Sequence, residues 1–170
     1  KWLVLSYWTD TRSNDLWVAD FERYLETGEL VKRAISIGQD GNVFGQAHAG
    51  RLFLLTKQGA PNGRVDVVDL ASFERRVIVP ERAEGVVQAV SLANGVLIVD
   101  SLEKAASVFD LYAFDGTSLG RLALPGLGTG GVATEVDSTE GFLTFTSFNY
   151  PTTIFRVDLT QPQAEPEVWE

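Results

Sequence analysis

Four times along this chain a β-rich run ends on an aspartate that opens a polar turn. The runs are Leu16-Trp17-Val18-Ala19-Asp20, Val65-Asp66-Val67-Val68-Asp69, Leu111-Tyr112-Ala113-Phe114-Asp115 and Ile154-Phe155-Arg156-Val157-Asp158. With the aspartate as marker, the positions 20, 69, 115 and 158 lie 49, 46 and 43 residues apart. A period of about 40–50 residues, each holding several short strands, is that of propeller blades. The aspartate itself has a local explanation: its carboxylate accepts backbone N–H bonds in the turn that follows. The repeat therefore carries architecture and no chemistry.

The second repeat shows the order within a unit. Asn42–Ala47 is a strand, Gly50 a turn, Arg51–Thr56 a strand, Gly59–Gly63 a turn and Arg64–Leu70 a strand, followed by Arg76–Val79. Leu52-Phe53-Leu54-Leu55 and Val96-Leu97-Ile98-Val99 are continuously apolar, as expected of strands buried on both faces. Phe21–Leu30 is the best helical stretch and reads as an excursion between blades. The expected fold class is all-β, with about four blades in units of roughly 1–38, 39–80, 81–125 and 126–170. A chain that opens in mid-strand without an initiator Met reads as a segment of a larger ring.

Composition narrows the partners. Fourteen Lys and Arg against 23 Asp and Glu give a net charge of -9. Such a surface repels phosphate backbones, so nucleic acid is not expected as a partner. No apolar run reaches the length of a membrane span, so no membrane partner is expected either. The absence of cysteine excludes disulfides and thiolate metal sites. It suits the cytoplasm and the periplasm alike.

Candidate chemistry is sparse. Gly126-Leu127-Gly128-Thr129-Gly130-Gly131 fits G-x-G-x-x-G, but strand-like Val132–Val136 follows where a nucleotide site needs a helix. It reads as an inter-blade turn. His48, the only histidine, reads as a turn residue, and no metal or other cofactor is expected. Asp66 and Asp69 are three apart and point to opposite faces of a strand. Asp10 and Asp15 fall in a loop, and all four read as solvated turn carboxylates. No G-x-S-x-G elbow is present, and no residue is expected to be catalytic.

Four segments in order point further. Phe145-Thr146-Ser147-Phe148 with Pro151 and Thr153–Leu159 resembles the last propeller blade of the prolyl oligopeptidase family of serine peptidases. Leu54–Val65, with its Gly59-Ala60-Pro61, resembles that family's strand–turn–strand, and Ile78–Glu81 the end of the same blade. Leu122–Gly128 resembles the proline-glycine turn before the final blade. The resemblance runs from Trp2 to about Trp169.

It implies the later half of a seven-bladed β-propeller, with the catalytic α/β-hydrolase domain and its Ser, Asp and His outside this chain. It also implies a lid that admits short peptides to a centre cleaving after proline. One loop, Ser6–Asp15, matches a stretch that reaches the substrate cleft in such enzymes. Thr9 stands where some relatives carry a pocket Arg, and Arg12 follows three residues later. Thr9 and Arg12 are therefore the candidate substrate-binding residues. The alternative is a non-enzymatic propeller serving as a protein-interaction module of the WD-repeat sort. Such modules end strands on Trp-Asp and open repeats with Gly-His, and this chain does neither.

Overall fold

A computed structural model describes residues 1–169. The fold is all-β, as the repeat demands, and consists of four antiparallel sheets distributed over two compact units, Lys1–Arg82 and the residues from Ala83 onward.

The first unit holds two sheets. One is formed by β1 (Trp2–Trp8), β2 (Asn14–Asp20) and β3 (Lys32–Ser36), the other by β4 (Val43–His48), β5 (Arg51–Thr56), β6 (Arg64–Asp69) and β7 (Arg75–Val79). The marker aspartates fall at the ends of β2 and β6. By that marker β1, β2 and β3 correspond to the second, third and fourth strands of the neighbouring sheet. Leu16 and Val18 of β2 are buried with Val43, Leu52, Leu54 and Val68 in one core. This close stacking needs Gly45 on β4, where a Cβ would come within 3.0 Å of Leu52 and Leu54 and 3.3 Å of Leu16. Ala49 and Gly50 turn β4 into β5 with φ of 47° and 73°, the two positive values of a tight hairpin turn. His48 pairs with Arg51 across that turn.

The second unit also holds two sheets. They are β8 (Val86–Leu92), β9 (Val96–Glu103), β10 (Ala106–Ala113) and β11 (Ser118–Arg121), then β12 (Thr129–Thr134), β13 (Glu140–Ser147), β14 (Tyr150–Asp158) and β15 (Glu167–Trp169). Val96, Ile98, Phe109 and Leu111 from one meet Leu143, Phe145, Phe155 and Val157 from the other. Ser107 stitches the pair at one end. Its Oγ accepts from the Gly130 N–H (3.0 Å) and donates to the Gly130 carbonyl (3.3 Å), and its own N–H reaches the Gly128 carbonyl (2.9 Å). The glycine-rich stretch is a connection between sheets only as far as Gly128; Thr129, Gly130 and Gly131, expected in the turn, already belong to β12. Gly128 lies flush on the Phe145 ring, where a Cβ would collide.

All four marker aspartates accept backbone N–H bonds in the following turn. Asp20 takes those of Glu22 (2.9 Å) and Arg23 (3.2 Å), and Asp69 those of Ala71 (2.9 Å) and Ser72 (2.8 Å). Asp115 takes that of Thr117 (2.8 Å) and Asp158 that of Thr160 (2.9 Å). The Ser72 and Ala71 N–H groups hold the Asp69 carboxyl below its ordinary range, and the Thr160 hydroxyl and N–H do the same for Asp158.

Three expectations change. The helix α1 is Phe21–Thr27, shorter than Phe21–Leu30, because Gly28 takes a left-handed φ of 71° and caps it. It also lies between β2 and β3 of one sheet and not between blades. Asp15 is on β2, where its carboxylate accepts the Gly38 N–H at 2.8 Å, and not in the loop with Asp10. Asp66 is not solvated. It is 1% exposed and ion-paired to Arg64 of its own strand (2.9 Å) and to Arg75 (2.7 Å), which pins β7 onto β6. Asp110 and Arg121 (2.9 Å) repeat that device between β10 and β11.

Asp100 on β9 sits beside Phe109 of β10, half-buried, and burial pushes its carboxyl from an ordinary 3.8 up to about 6. A carboxyl harder to ionise folded than unfolded gives its full contribution below the unfolded value, and that contribution is lost as pH rises through the folded one. Asp100→Asn should therefore leave Tm nearly unchanged at about pH 4 and raise it at about pH 7.5. Thermal melts of both proteins at the two pH values check this.

Candidate functional site

The connection from β1 to β2 is short enough to be shaped by its own side chains. Asp10 is the organiser. Its Oδ1 accepts the backbone N–H of Arg12 at 2.6 Å and of Ser13 at 2.8 Å, so the chain folds back over the carboxylate. Those two N–H groups, Arg12 first, hold the Asp10 carboxyl below its ordinary value. The Ser13 carbonyl closes the turn from the other side. It accepts the Thr9 N–H (3.0 Å), the Thr9 hydroxyl (3.1 Å) and the Asp10 N–H (3.4 Å).

The two candidate residues are thereby placed differently. The Thr9 hydroxyl is directed into its own loop. Arg12 is exposed at the tip, and among the described residues its guanidinium forms no ion pair. The loop brings both onto one rigid turn, with Arg12 as the group that faces outward.

The base of the loop is fixed by Asn14, fully buried at 0% exposure. Its Nδ2 donates to Ser6 Oγ (2.7 Å) and to the Val43 carbonyl (2.8 Å), while its Oδ1 accepts the Val43 N–H (2.7 Å). One amide thus satisfies both backbone groups of the first residue of β4. Ser13 continues the contact by accepting the Gly41 N–H at 3.2 Å and donating to Asp40 at 3.4 Å. Gln58, from the β5–β6 turn, accepts the Ser36 hydroxyl (2.6 Å) and donates to the Gly41 carbonyl (3.3 Å). Gly41 has φ of 98°, and a Cβ there would sit 2.9 Å from the Lys57 carbonyl oxygen.

Asn14 and Gln58 escaped the sequence reading, because a polar residue beside a turn looks solvated until its partners from other strands are known. No group of three or more His, Asp or Glu among the described residues is arranged to hold a metal. Among the described residues no helix is long and apolar enough to cross a membrane.

Asn14→Ala would leave the buried N–H and carbonyl of Val43 without partners. It should destabilise the protein by about 3 kcal/mol, the cost of two unmade buried hydrogen bonds. Chemical denaturation at constant m-value measures it.

Residues 1–169 match the family model described as prolyl oligopeptidase, N-terminal beta-propeller domain. The dual function macrocyclase-peptidase POPB of Amanita bisporigera is 28% identical over 171 residues, covering 97% of this chain and 23% of that protein. Its namesake from Galerina marginata is 29% identical with the same coverage. Among solved structures, one comes from a study of two prolyl endopeptidases and the role of inter-domain dynamics in catalysis and specificity. It superposes with a TM-score of 0.89 at 26% identity, over 99% of this chain and 24% of that one. Prolyl oligopeptidase B from Galerina marginata, bound to a 35mer hydrolysis and macrocyclization substrate, gives a TM-score of 0.80 at 28% identity, over 100% of this chain and 26% of that one. The chain spans about a quarter of the length of these relatives. With a match that runs from the first residue to residue 169, over sheets that repeat a single blade plan, the chain belongs to the prolyl oligopeptidase N-terminal β-propeller domain family.

Proposed function

We propose that this chain is the propeller segment of a prolyl oligopeptidase-like serine endopeptidase, and that it gates the access of short proline-containing peptides to a catalytic α/β-hydrolase domain outside the chain. The observation that carries the reading is the family match across residues 1–169. Relatives of about four times this length leave room for such a domain in the parent protein. The Galerina relative is bound to a peptide substrate, which supports peptides as the substrate class. A cysteine-free chain of this kind suits the cytoplasm or the periplasm.

The physical role of a lid is exclusion. A propeller of stiff sheets over a hydrolase centre keeps folded proteins away from the nucleophile and shields the reaction from bulk water. Within that lid, Arg12 is the group proposed to meet substrate. Its loop is ordered before any peptide arrives, since Asp10, Ser13 and Asn14 already hold it. An exposed cation whose backbone is already fixed by its loop, with only Asp10 of the same turn as a charged neighbour, loses little on pairing with a peptide carbonyl or carboxylate. Thr9 acts as a positioning residue, its hydroxyl closing the turn that carries Arg12.

Arg12→Ala in the intact parent protein should lower kcat/KM for proline-containing peptides roughly tenfold, the equivalent of one charge-assisted contact. Tm should not move, because the side chain is exposed. Unchanged peptide kinetics would remove Arg12 from the substrate path.

A further inference from the structure

Asparagine is followed by glycine at two places in this chain, Asn62-Gly63 and Asn94-Gly95. The dipeptide carries a latent reaction. Glycine has no side chain to shield its backbone nitrogen, so that nitrogen can attack the asparagine side-chain carbonyl carbon and close a succinimide ring. Whether it does so depends on how firmly the fold holds the two reacting groups.

Asn62-Gly63 is held. The Asn62 N–H donates to Glu81 Oε1 at 2.6 Å, and its Nδ2 donates to the Arg82 carbonyl at 3.0 Å. The attacking nitrogen would be that of Gly63, which is buried and donates its hydrogen to the Ala60 carbonyl at 2.8 Å. Ring closure there sacrifices the bond of Nδ2, which must leave, and that of Gly63, which must give up its hydrogen.

Asn94-Gly95 is free. These two residues are the whole β8–β9 turn, flanked by Ala93 and Val96, whose backbones exchange bonds of 2.8 and 3.3 Å. Both are exposed. Among the described residues the Asn94 side chain has no hydrogen-bond partner, and neither has the Gly95 N–H. No atom lies within 4 Å of where a Gly95 Cβ would stand, so solvent reaches both reacting groups.

The same turn is a joint. The Asn94 N–H donates to the Ser138 carbonyl at 3.1 Å, and the Thr134 hydroxyl donates to the Leu92 carbonyl at 3.1 Å. These bonds tie the β8–β9 hairpin to the β12–β13 connection, which carries Glu135 and Asp137.

We infer that Asn94 is a site of spontaneous covalent modification, converting through a cyclic imide with Gly95 to aspartate and isoaspartate, and that this conversion opens the joint between the β8–β9 turn and the β12–β13 connection. The Gly95 N–H loses its proton to hydroxide and its nitrogen bonds to Asn94 Cγ. The Cγ–Nδ2 bond breaks, and Nδ2 leaves as ammonia. Water then opens the imide. Cleavage at Cγ gives aspartate, and cleavage at the backbone carbonyl leaves the chain running through the side chain, as isoaspartate. Isoaspartate adds a methylene to the backbone of a tight turn whose length sets the hairpin register. The Ala93–Val96 pair then falls out of register, and the Asn94–Ser138 bond goes with it. Either product also places a new carboxylate beside an acidic connection. The chemistry is independent of what the parent protein cleaves.

The test ages the full-length parent protein in mildly alkaline buffer, folded and in denaturant, and follows both sites by peptide mass, which records exchange of the amide NH2 for OH. In the folded protein Asn94 should convert at least about tenfold faster than Asn62, the factor imposed by the hydrogen bonds at Asn62 and Gly63. In denaturant the two rates should be similar. Isoaspartate among the Asn94 products marks the imide route, and its absence overturns that route. Amide hydrogen exchange at Ala93 and Val96 should be at least about tenfold faster in the aged protein than in the fresh one, with Phe109 and Leu111 unaltered. Asn94→Gln, whose larger ring closes slowly, should stay unmodified and keep its protection through the same ageing. Equal rates at the two sites in the folded protein, or a difference that persists in denaturant, overturns the assignment. Unaltered exchange after conversion, or equal loss of protection in Asn94→Gln, overturns the opening of the joint.

Discussion

Everything in this chain depends on how closely one twisted sheet can lie against the next. Within the first unit, Leu52 and Leu54 of β5 meet Leu16 and Val18 of β2. Within the second, Val96 and Ile98 of β9 meet Leu143 and Phe145 of β13. Strands covered on both faces have no solvent side, which is why their sequences run apolar without alternation. Close approach then requires places with no side chain at all. Gly45 and Gly128 supply them, each beneath a neighbour's side chain that a methyl group would strike. Core strands, glycine positions and serine stitches are all consequences of that one packing distance.

Function in such a scaffold is left to the turns. Stiff sheets fix where each turn begins and ends, and the turn's own polar groups fix its path. The Thr9–Ser13 turn shows this most fully: one carboxylate gathers two N–H groups, one carbonyl gathers three donors, and a buried amide anchors the base. The Phe148 turn uses aromatic packing for the same purpose, Tyr150 wedged against Phe145 and Phe155. A polar tip and an apolar tip are thus each held in place by contacts within their own hairpin.

Charge is deployed in three distinct ways along the same strands. The marker aspartates at 20, 69, 115 and 158 are solvated caps. Asp66 and Asp110 are strand residues neutralised by an arginine of the next strand, Asp66 also by Arg64 of its own strand. Asp100 is half-buried with no cation beside it among the described residues, and its ionisation is correspondingly resisted. These are chemically identical side chains with different neighbours, and only the first use follows from local sequence.

The sequence by itself determined the four-fold β repeat, the capping role of its aspartates and the double-sided burial of Leu52–Leu55 and Val96–Val99. Each of these rests on interactions within a few residues or on a strand's own pattern. It also carried the family, through ordered motifs such as Gly59-Ala60-Pro61 and the Thr146–Pro151 turn. The tertiary structure decided what depends on the groups standing opposite. It gave Asp66 its two arginines and Asn14 the backbone of Val43. It placed α1 inside a sheet rather than between sheets, because the strands flanking it pair with each other. It turned the Thr9 hydroxyl inward and left Arg12 and Phe148 outward. Pairing register and inter-sheet contact join residues far apart in the chain, and no local pattern encodes which atoms will meet there.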